Sequence, residues 1–313
     1  MKYVEYVNSS IKTVISKEEK LVIYGQNIDA ASCLSGLTRG LSVVNDGFTI
    51  NTPNSENTLT GIGFGLMLSG VSSIYFMKQM DFLLLGVDQL VNTYNVIRQT
   101  TPHASFTIFP VNVDSGYEGP QSALNNLNDF CSISGVNGFS MTNSSDTKHI
   151  IENFLIRPGF RIISPSQRLL REEMIEIDTL HKQDELTYFQ YRKGDDVSVV
   201  CFNYSLPYGI RLSDMLREQG MNTSLWSVNA FLDIDYTYMM QDVNHTKRLV
   251  VIDDAKSLHK SSHIFMNEIH ENCSLDESIL VDRRNELNKY SPRHDQLEVP
   301  FEDIVRRLVQ NLH

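Results

Sequence analysis

Asn51-Thr52-Pro53-Asn54-Ser55-Glu56-Asn57-Thr58-Leu59-Thr60-Gly61-Ile62-Gly63-Phe64-Gly65 places a single carboxylate where a turn runs into a glycine-rich apolar stretch. Pro53 and Asn54 end what precedes them, Ser55 stands as an N-cap able to accept from the first free backbone N–H groups, and Glu56 falls in the first helical turn. No further charge follows until Lys78. Gly61 and Gly65 share a helical face and allow another backbone to approach, while Leu59, Ile62, Leu66 and Met67 supply apolar contacts. A carboxyl enclosed in this way loses hydration, which disfavours its charged form and suits proton exchange with a bound heterocycle. Taken alone, the same pattern also suits an acid that only complements a helix dipole.

Outward from this stretch, short runs rich in β-branched and aromatic residues alternate with amphipathic segments, the pattern of parallel sheets covered by helices. Strands are expected at Leu21–Tyr24, Ser73–Met77, Ser105–Val113, Gly138–Met141 and Arg161–Ser164. Leu83, Val87, Leu90, Tyr94 and Ile97 recur at helical spacing, and Asp146–Leu155 and Gln167–Met174 read as further helices. A charged stretch from Arg171 to Asp196 separates this half from a second series. That series has strands at Val197–Asn203, Thr223–Val228, Arg248–Asp253 and Ser278–Val281, and helices near Ile210–Gln219, Ile264–Glu271 and Glu302–Leu312. With 313 residues, 41% of them hydrophobic, the chain can bury a large core and divide into two domains. The expected fold is α/β, in two domains that each hold a mostly parallel sheet flanked by helices.

A net charge of −11 argues against nucleic acid or an anionic membrane as partner. No run reaches the roughly 20 apolar residues of a membrane span, and the start Met1-Lys2-Tyr3-Val4-Glu5 has no long apolar core of the signal-peptide kind. Cys33, Cys131, Cys201 and Cys273 are far apart, as free thiols in a reducing cytoplasm would be. His259, His263 and His270 are spaced to share one helical face, but no acidic or cysteine cluster supports them, and a polar outer face is the expectation rather than a metal site.

The segment from Asn51 to Asn92, with Thr-Pro-Asn-Ser-Glu, Gly-Ile-Gly-Phe-Gly, Leu-Ser-Gly, Met80-Asp81-Phe82 and Gly86-Val87-Asp88-Gln89-Leu90-Val91-Asn92, resembles the pyrimidine-binding domain of the transketolase superfamily. The nearest pattern is the beta subunit of the decarboxylase component of 2-oxo-acid dehydrogenases, pyruvate dehydrogenase among them. Ile133-Ser134-Gly135-Val136, Arg161 to Ser166 and Arg248 to Asp254 extend the likeness over nearly the whole chain. It implies a pyrimidine-binding, transketolase central-like domain over 1–175, a linker over 176–195 and a transketolase C-terminal-like domain over 196–313. It also implies thiamine diphosphate as cofactor. Glu56, in the Ser55-Glu56 motif, matches the acid that touches N1′ of the aminopyrimidine, where a carboxyl favours the imino tautomer whose N4′ removes the thiazolium C2 proton. Phe82 matches the aromatic residue that stacks on the pyrimidine.

In the resembled family the diphosphate is held through Mg²⁺ by a Gly-Asp-Gly segment followed by Asn-Asn. This chain has no Gly-Asp-Gly; Asn45-Asp46-Gly47 is a look-alike placed before the Ser-Glu motif, too far from Asn125-Asn126. The resemblance therefore implies half of an active site, completed by an alpha subunit that carries the diphosphate domain and binds most of the Mg²⁺, in an α2β2 assembly. Several positions depart from the dehydrogenase pattern. The His-Ser-Gln motif is replaced by Gly116 to Ala123, with Gln121 near the histidine's place, and an amide carries no proton at neutral pH. Thr100-Thr101-Pro102-His103-Ala104 replaces a Ser-Gly-Gly turn, with His103 a stand-in acid–base group, and Gln26 replaces the acid after the first strand. These changes favour decarboxylation of a 2-oxo acid or cleavage of a ketose, with transfer to a carbonyl acceptor. A lipoyl-linked dehydrogenase subunit and a catalytically silent subunit that keeps the fold are the alternatives.

Overall fold

A computed structural model describes residues 1–44, 46–100, 102–115, 127–182, 188–232, 234–283 and 297–310. The chain forms two compact units, Met1–Glu176 and Ile177–His313.

The first unit runs α1 (Tyr3–Ile15), β1 (Leu21–Gly25), β2 (Phe48–Asn51), α2 (Glu56–Leu68), β3 (Ser72–Met77), α3 (Tyr94–Ile97), β4 (Ser105–Pro110), α4 (Leu127–Ser134), β5 (Gly138–Met141), α5 (Ser144–Phe154) and β6 (Gly159–Pro165). Its sheet is parallel throughout, in the order β2-β1-β3-β4-β6-β5. α1 buries Val7, Ile11 and Ile15 at helical spacing, and Tyr3 from its first turn donates its hydroxyl to the Met141 carbonyl at 2.9 Å. α5 starts on a reciprocal cap: the Asn143 side chain accepts from the Ser145 and Asp146 N–H groups, and Asp146 accepts from Thr142 and Asn143. Burial of α2 rests on Phe64, whose ring lies 5.0 Å from Phe106 and 4.9 Å from Phe160. Such rings contribute about 1.5–3 kcal/mol each when fully buried.

The second unit runs β7 (His181–Lys182), β8 (Tyr188–Arg192), β9 (Val197–Phe202), α6 (Leu206–Glu218), β10 (Thr223–Val228), α7 (Thr237–Thr246), β11 (Arg248–Asp253), α8 (Ser261–Asn272), β12 (Glu277–Val281) and α9 (Phe301–Gln310). Its sheet order is β12-β11-β9-β10-β8-β7; β9 to β12 pair in parallel, whereas β8 runs antiparallel to β10 and β7 antiparallel to β8. Trp226 is fully buried and donates to Asp242 at 2.8 Å, tying β10 to α7.

Three expectations are corrected here. Part of the predicted linker, 176–195, is sheet: Tyr188, Phe189 and Gln190 are buried in β8, so the charged residues around them mark strand ends. Residues 167–171 form turns rather than a helix, and Glu173 beyond them bridges to Lys2. Leu83 to Ile97 is not one α-helix but a 3₁₀ turn over Met80–Gly86, a π turn over Gln89–Thr93 and then α3.

Candidate active site

Parallel register aligns the carboxyl ends of the first unit's central strands: Gly25 lies opposite Asn51 and Phe76, and Met77 opposite Pro110. In open parallel sheets ligands bind outside this edge, where successive strands leave in opposite directions. Here the chain passes from β1 outward to β2 and back across to β3. Glu56 is at this edge, in the first turn of α2, and is 6% exposed. Gln26, the residue after β1, is also buried and donates from Nε2 to Glu56 Oε1 at 3.1 Å.

The platform beneath the pair is held by backbone constraints. Gly25 has φ +151°, and a Cβ there would fall 2.0 Å from the Phe76 carbonyl oxygen, so no side chain fits. The Thr52 N–H donates to the Gly25 carbonyl at 3.0 Å, and the Asn51 side chain accepts from Ile28 N–H at 2.9 Å. Tyr24 and Tyr75 stack in parallel at 5.1 Å, and Tyr24 donates to the Leu59 carbonyl inside α2. Burial, and then the charge of Glu56, push the Tyr75 phenol well above its ordinary range.

Phe82 is half-buried in the 3₁₀ turn that follows β3. That turn packs on the start of α2: a Cβ on Gly86 would meet Thr60 Oγ1 at 2.8 Å and the Glu56 carbonyl oxygen at 3.5 Å. Thr60 donates to the same carbonyl at 2.7 Å. The turn carrying Phe82 is thus packed against the first turns of α2, the helix of Glu56.

Other predicted residues fare differently. Ser55 occupies the N-cap position of α2, but its hydroxyl makes no capping hydrogen bond. Gly61 and Gly65 do not admit a backbone within this unit; Gln89 lies over Gly61, and nothing lies within 4 Å of a Cβ on Gly65. The close approach is at Gly63, where a Cβ would fall 2.2 Å from the Phe106 ring. His103 is exposed and precedes β4, at the opposite edge of the sheet. With about 3.3 Å per strand residue, the six residues of β4 set it roughly 20 Å from the Glu56 edge, too far to exchange protons there. Gln121 lies outside the described residues. His259 precedes α8, His263 faces Asp282 at 3.0 Å and His270 faces Ser278 at 3.5 Å. Among the described residues no three His, Cys, Asp or Glu side chains are grouped to hold a metal ion.

The residue that sequence reading underused is Gln26, seen only as the lack of an acid. Its signal was its place directly after a strand that ends in glycine.

The first curated comparison is the 2-oxoisovalerate dehydrogenase subunit beta of Bacillus subtilis, 19% identical over 284 residues, covering 82% of this chain and 80% of that protein. The pyruvate dehydrogenase E1 component subunit beta of Leifsonia xyli is 21% identical over 263 residues, covering 82% of this chain and 77% of that protein. Among solved structures, a split-gene transketolase described as an inactive beta4 tetramer superposes with a TM-score of 0.68 at 13% identity, over 98% of this chain and 96% of the other. In fold the chain is transketolase-like, and in sequence it resembles the E1 beta subunits. No family model matches it. The two sheets and their helices agree with the transketolase-like α/β expectation. Among the described residues no helix is long and apolar enough to cross a membrane.

Proposed function

We propose that the chain is the beta subunit of a heteromeric thiamine-diphosphate-dependent enzyme that cleaves or forms carbon–carbon bonds, by 2-oxo-acid decarboxylation or ketose cleavage followed by transfer to a carbonyl acceptor. The observation that carries this reading is the buried Glu56 at the carboxyl edge of a parallel sheet, with the Phe82 turn packed against its helix. These residues fit the pyrimidine half of the cofactor: a carboxyl sheltered from water for a ring nitrogen, and a half-buried aromatic ring for stacking. When bound, thiamine diphosphate supplies carbanion stabilisation. The chain's own part is to hold the pyrimidine and exchange a proton between Glu56 and the ring nitrogen. Among the described residues no group of three His, Cys, Asp or Glu side chains could hold a metal ion, and the reading assigns the diphosphate and its Mg²⁺ to an alpha subunit.

Partnership is supported by the surface of the first unit. Phe48 and Ile50 on β2, Ile62 on α2, the helix of Glu56, and Leu84 and Leu85 in the Phe82 turn are exposed apolar side chains. An alpha subunit covering these side chains would complete the site in an α2β2 heterotetramer. The split-gene transketolase of similar fold, described as an inactive beta4 tetramer, is the precedent for a beta chain that self-associates without activity. Free thiols at Cys33, Cys131, Cys201 and Cys273 accord with a cytoplasmic enzyme.

A second reading, a lipoyl-linked 2-oxo-acid dehydrogenase subunit, is favoured by the sequence likeness to E1 beta subunits. Product analysis with a lipoyl domain or with an aldehyde as acceptor separates the two. The functional test is calorimetric titration of thiamine diphosphate with Mg²⁺ into the co-purified alpha and beta chains, and into the beta chain alone. Saturable binding is expected only in the mixture. A stoichiometric mixed complex that binds no cofactor would remove the enzyme reading and leave an interaction subunit.

A further inference from the structure

We infer that Gln26 is a positioning residue for Glu56, committing one carboxyl oxygen, Oε1, so that Oε2 is the oxygen that exchanges a proton with the bound heterocycle. This rests on the functional reading above and specifies the chemistry of the same site. The hydrogen bond from Gln26 Nε2 to Glu56 Oε1 is 3.1 Å, and both side chains are buried. Both ends are anchored by local contacts. The Gln26 backbone follows Gly25, where the close Phe76 carbonyl excludes a side chain, and the next turn is tied to Asn51. Glu56 is in the first turn of a helix whose carbonyl at that same residue accepts from Thr60 at 2.7 Å.

The choice of an amide has a chemical consequence. An amide N–H donates at every pH, whereas a carboxyl in its place donates only while protonated and repels Glu56 once ionised. The other titratable groups on elements packed around the pair are Tyr24 and Tyr75 from the strands and the buried Asp81 in the Phe82 turn. The phenols are held protonated through neutral pH by burial, so neither takes over the switching role. Gln26 thus fixes the acid's orientation without adding a titrating group of its own.

Three variants and two readouts test this. In the full-length chain without cofactor, the side-chain amide of Gln26 is identified in a ¹⁵N–¹H spectrum by its loss in Gln26→Met. One of its protons should exchange slowly with water, and Glu56→Ala should abolish that protection while the backbone spectrum stays folded. In the assembled enzyme, Gln26→Met should slow hydrogen–deuterium exchange at C2 of thiamine diphosphate roughly tenfold to a hundredfold at all pH values, with cofactor affinity changed far less. Gln26→Glu should fall progressively behind the parent as pH rises and the new carboxyl ionises, because only its protonated form donates. An unprotected amide in the folded parent chain, or folded variants whose exchange rates and pH profiles match the parent's, would overturn the proposal. If the parent assembly binds no cofactor, the functional reading fails by itself, and the amide measurement still decides whether Gln26 holds Glu56.

Discussion

At the scale of single residues, the site depends on places where a side chain is absent as much as on Glu56 itself. Gly63 lets α2 lie against Phe106, and a Cβ at 2.2 Å from that fully buried ring has to displace it. Gly63→Ala is therefore expected to destabilise the chain by about 1–3 kcal/mol in urea unfolding, the usual cost of overpacking a core. The more conspicuous Gly65 is open to solvent, and Gly65→Ala should be neutral or slightly stabilising through helix propensity. Equal losses for the two substitutions would show that the contact with Phe106 is not what fixes α2.

At the scale of elements, the strands legible in the sequence are short runs in which apolar residues cluster and most side chains are buried. Thr223–Val228 and Arg248–Asp253 fall where the runs predict because strands inside a sheet are buried on both faces, and the edge strand Gly138–Met141 is found because all four of its residues are buried. β2 escaped notice because it is an edge strand with Phe48 and Ile50 exposed, so burial leaves no periodic trace in it. β8 was hidden by the charges around it, which sit beyond the buried Tyr188 to Gln190. The site was legible to a similar degree. Glu56 and Phe82 are candidates by motif, but the Gln26 contact joins residues 30 apart in sequence and appears only once the chain is folded. His103 misled for the converse reason: nearness to a strand does not say which end of the sheet a residue occupies. Helix α5 offers a test of local stability. Removing its cap with Asn143→Ala takes partners from the Ser145 and Asp146 N–H groups and should cost about 1 kcal/mol in thermal or chemical unfolding. No measurable loss would mean that Asp146 alone secures that helix start.

At the scale of the whole molecule, stability and activity make separate demands on buried charge. Asp253, at the end of β11, has its ionisation pushed above the ordinary carboxylate range by burial, against the opposing influence of Ser262, the Ala255 N–H, Lys260 and His263. In the unfolded chain it ionises near the usual value of about 3.9. Between those two values the folded state holds a proton that the unfolded state has lost. Stability due to this group therefore falls as pH rises through the window and stays lower above it. Asp253→Asn, which can still accept from Ala255 N–H, is expected to raise Tm at neutral pH and to change it little near about pH 3.5, below the ordinary carboxylate value. A Tm lowered at neutral pH would show that the carboxylate is held charged by its neighbours.

The role of the buried Glu56 is tested most directly by the rate of deuterium exchange at C2 of thiamine diphosphate in the assembled enzyme, parent against Glu56→Gln. The parent should accelerate exchange well beyond the free cofactor. Glu56→Gln, which keeps the shape and leaves assembly intact, should lose about a hundredfold or more of that rate, the scale of a missing acid–base group. Exchange at the parent's rate in an intact Glu56→Gln assembly would contradict the account and remove Glu56 from the chemistry.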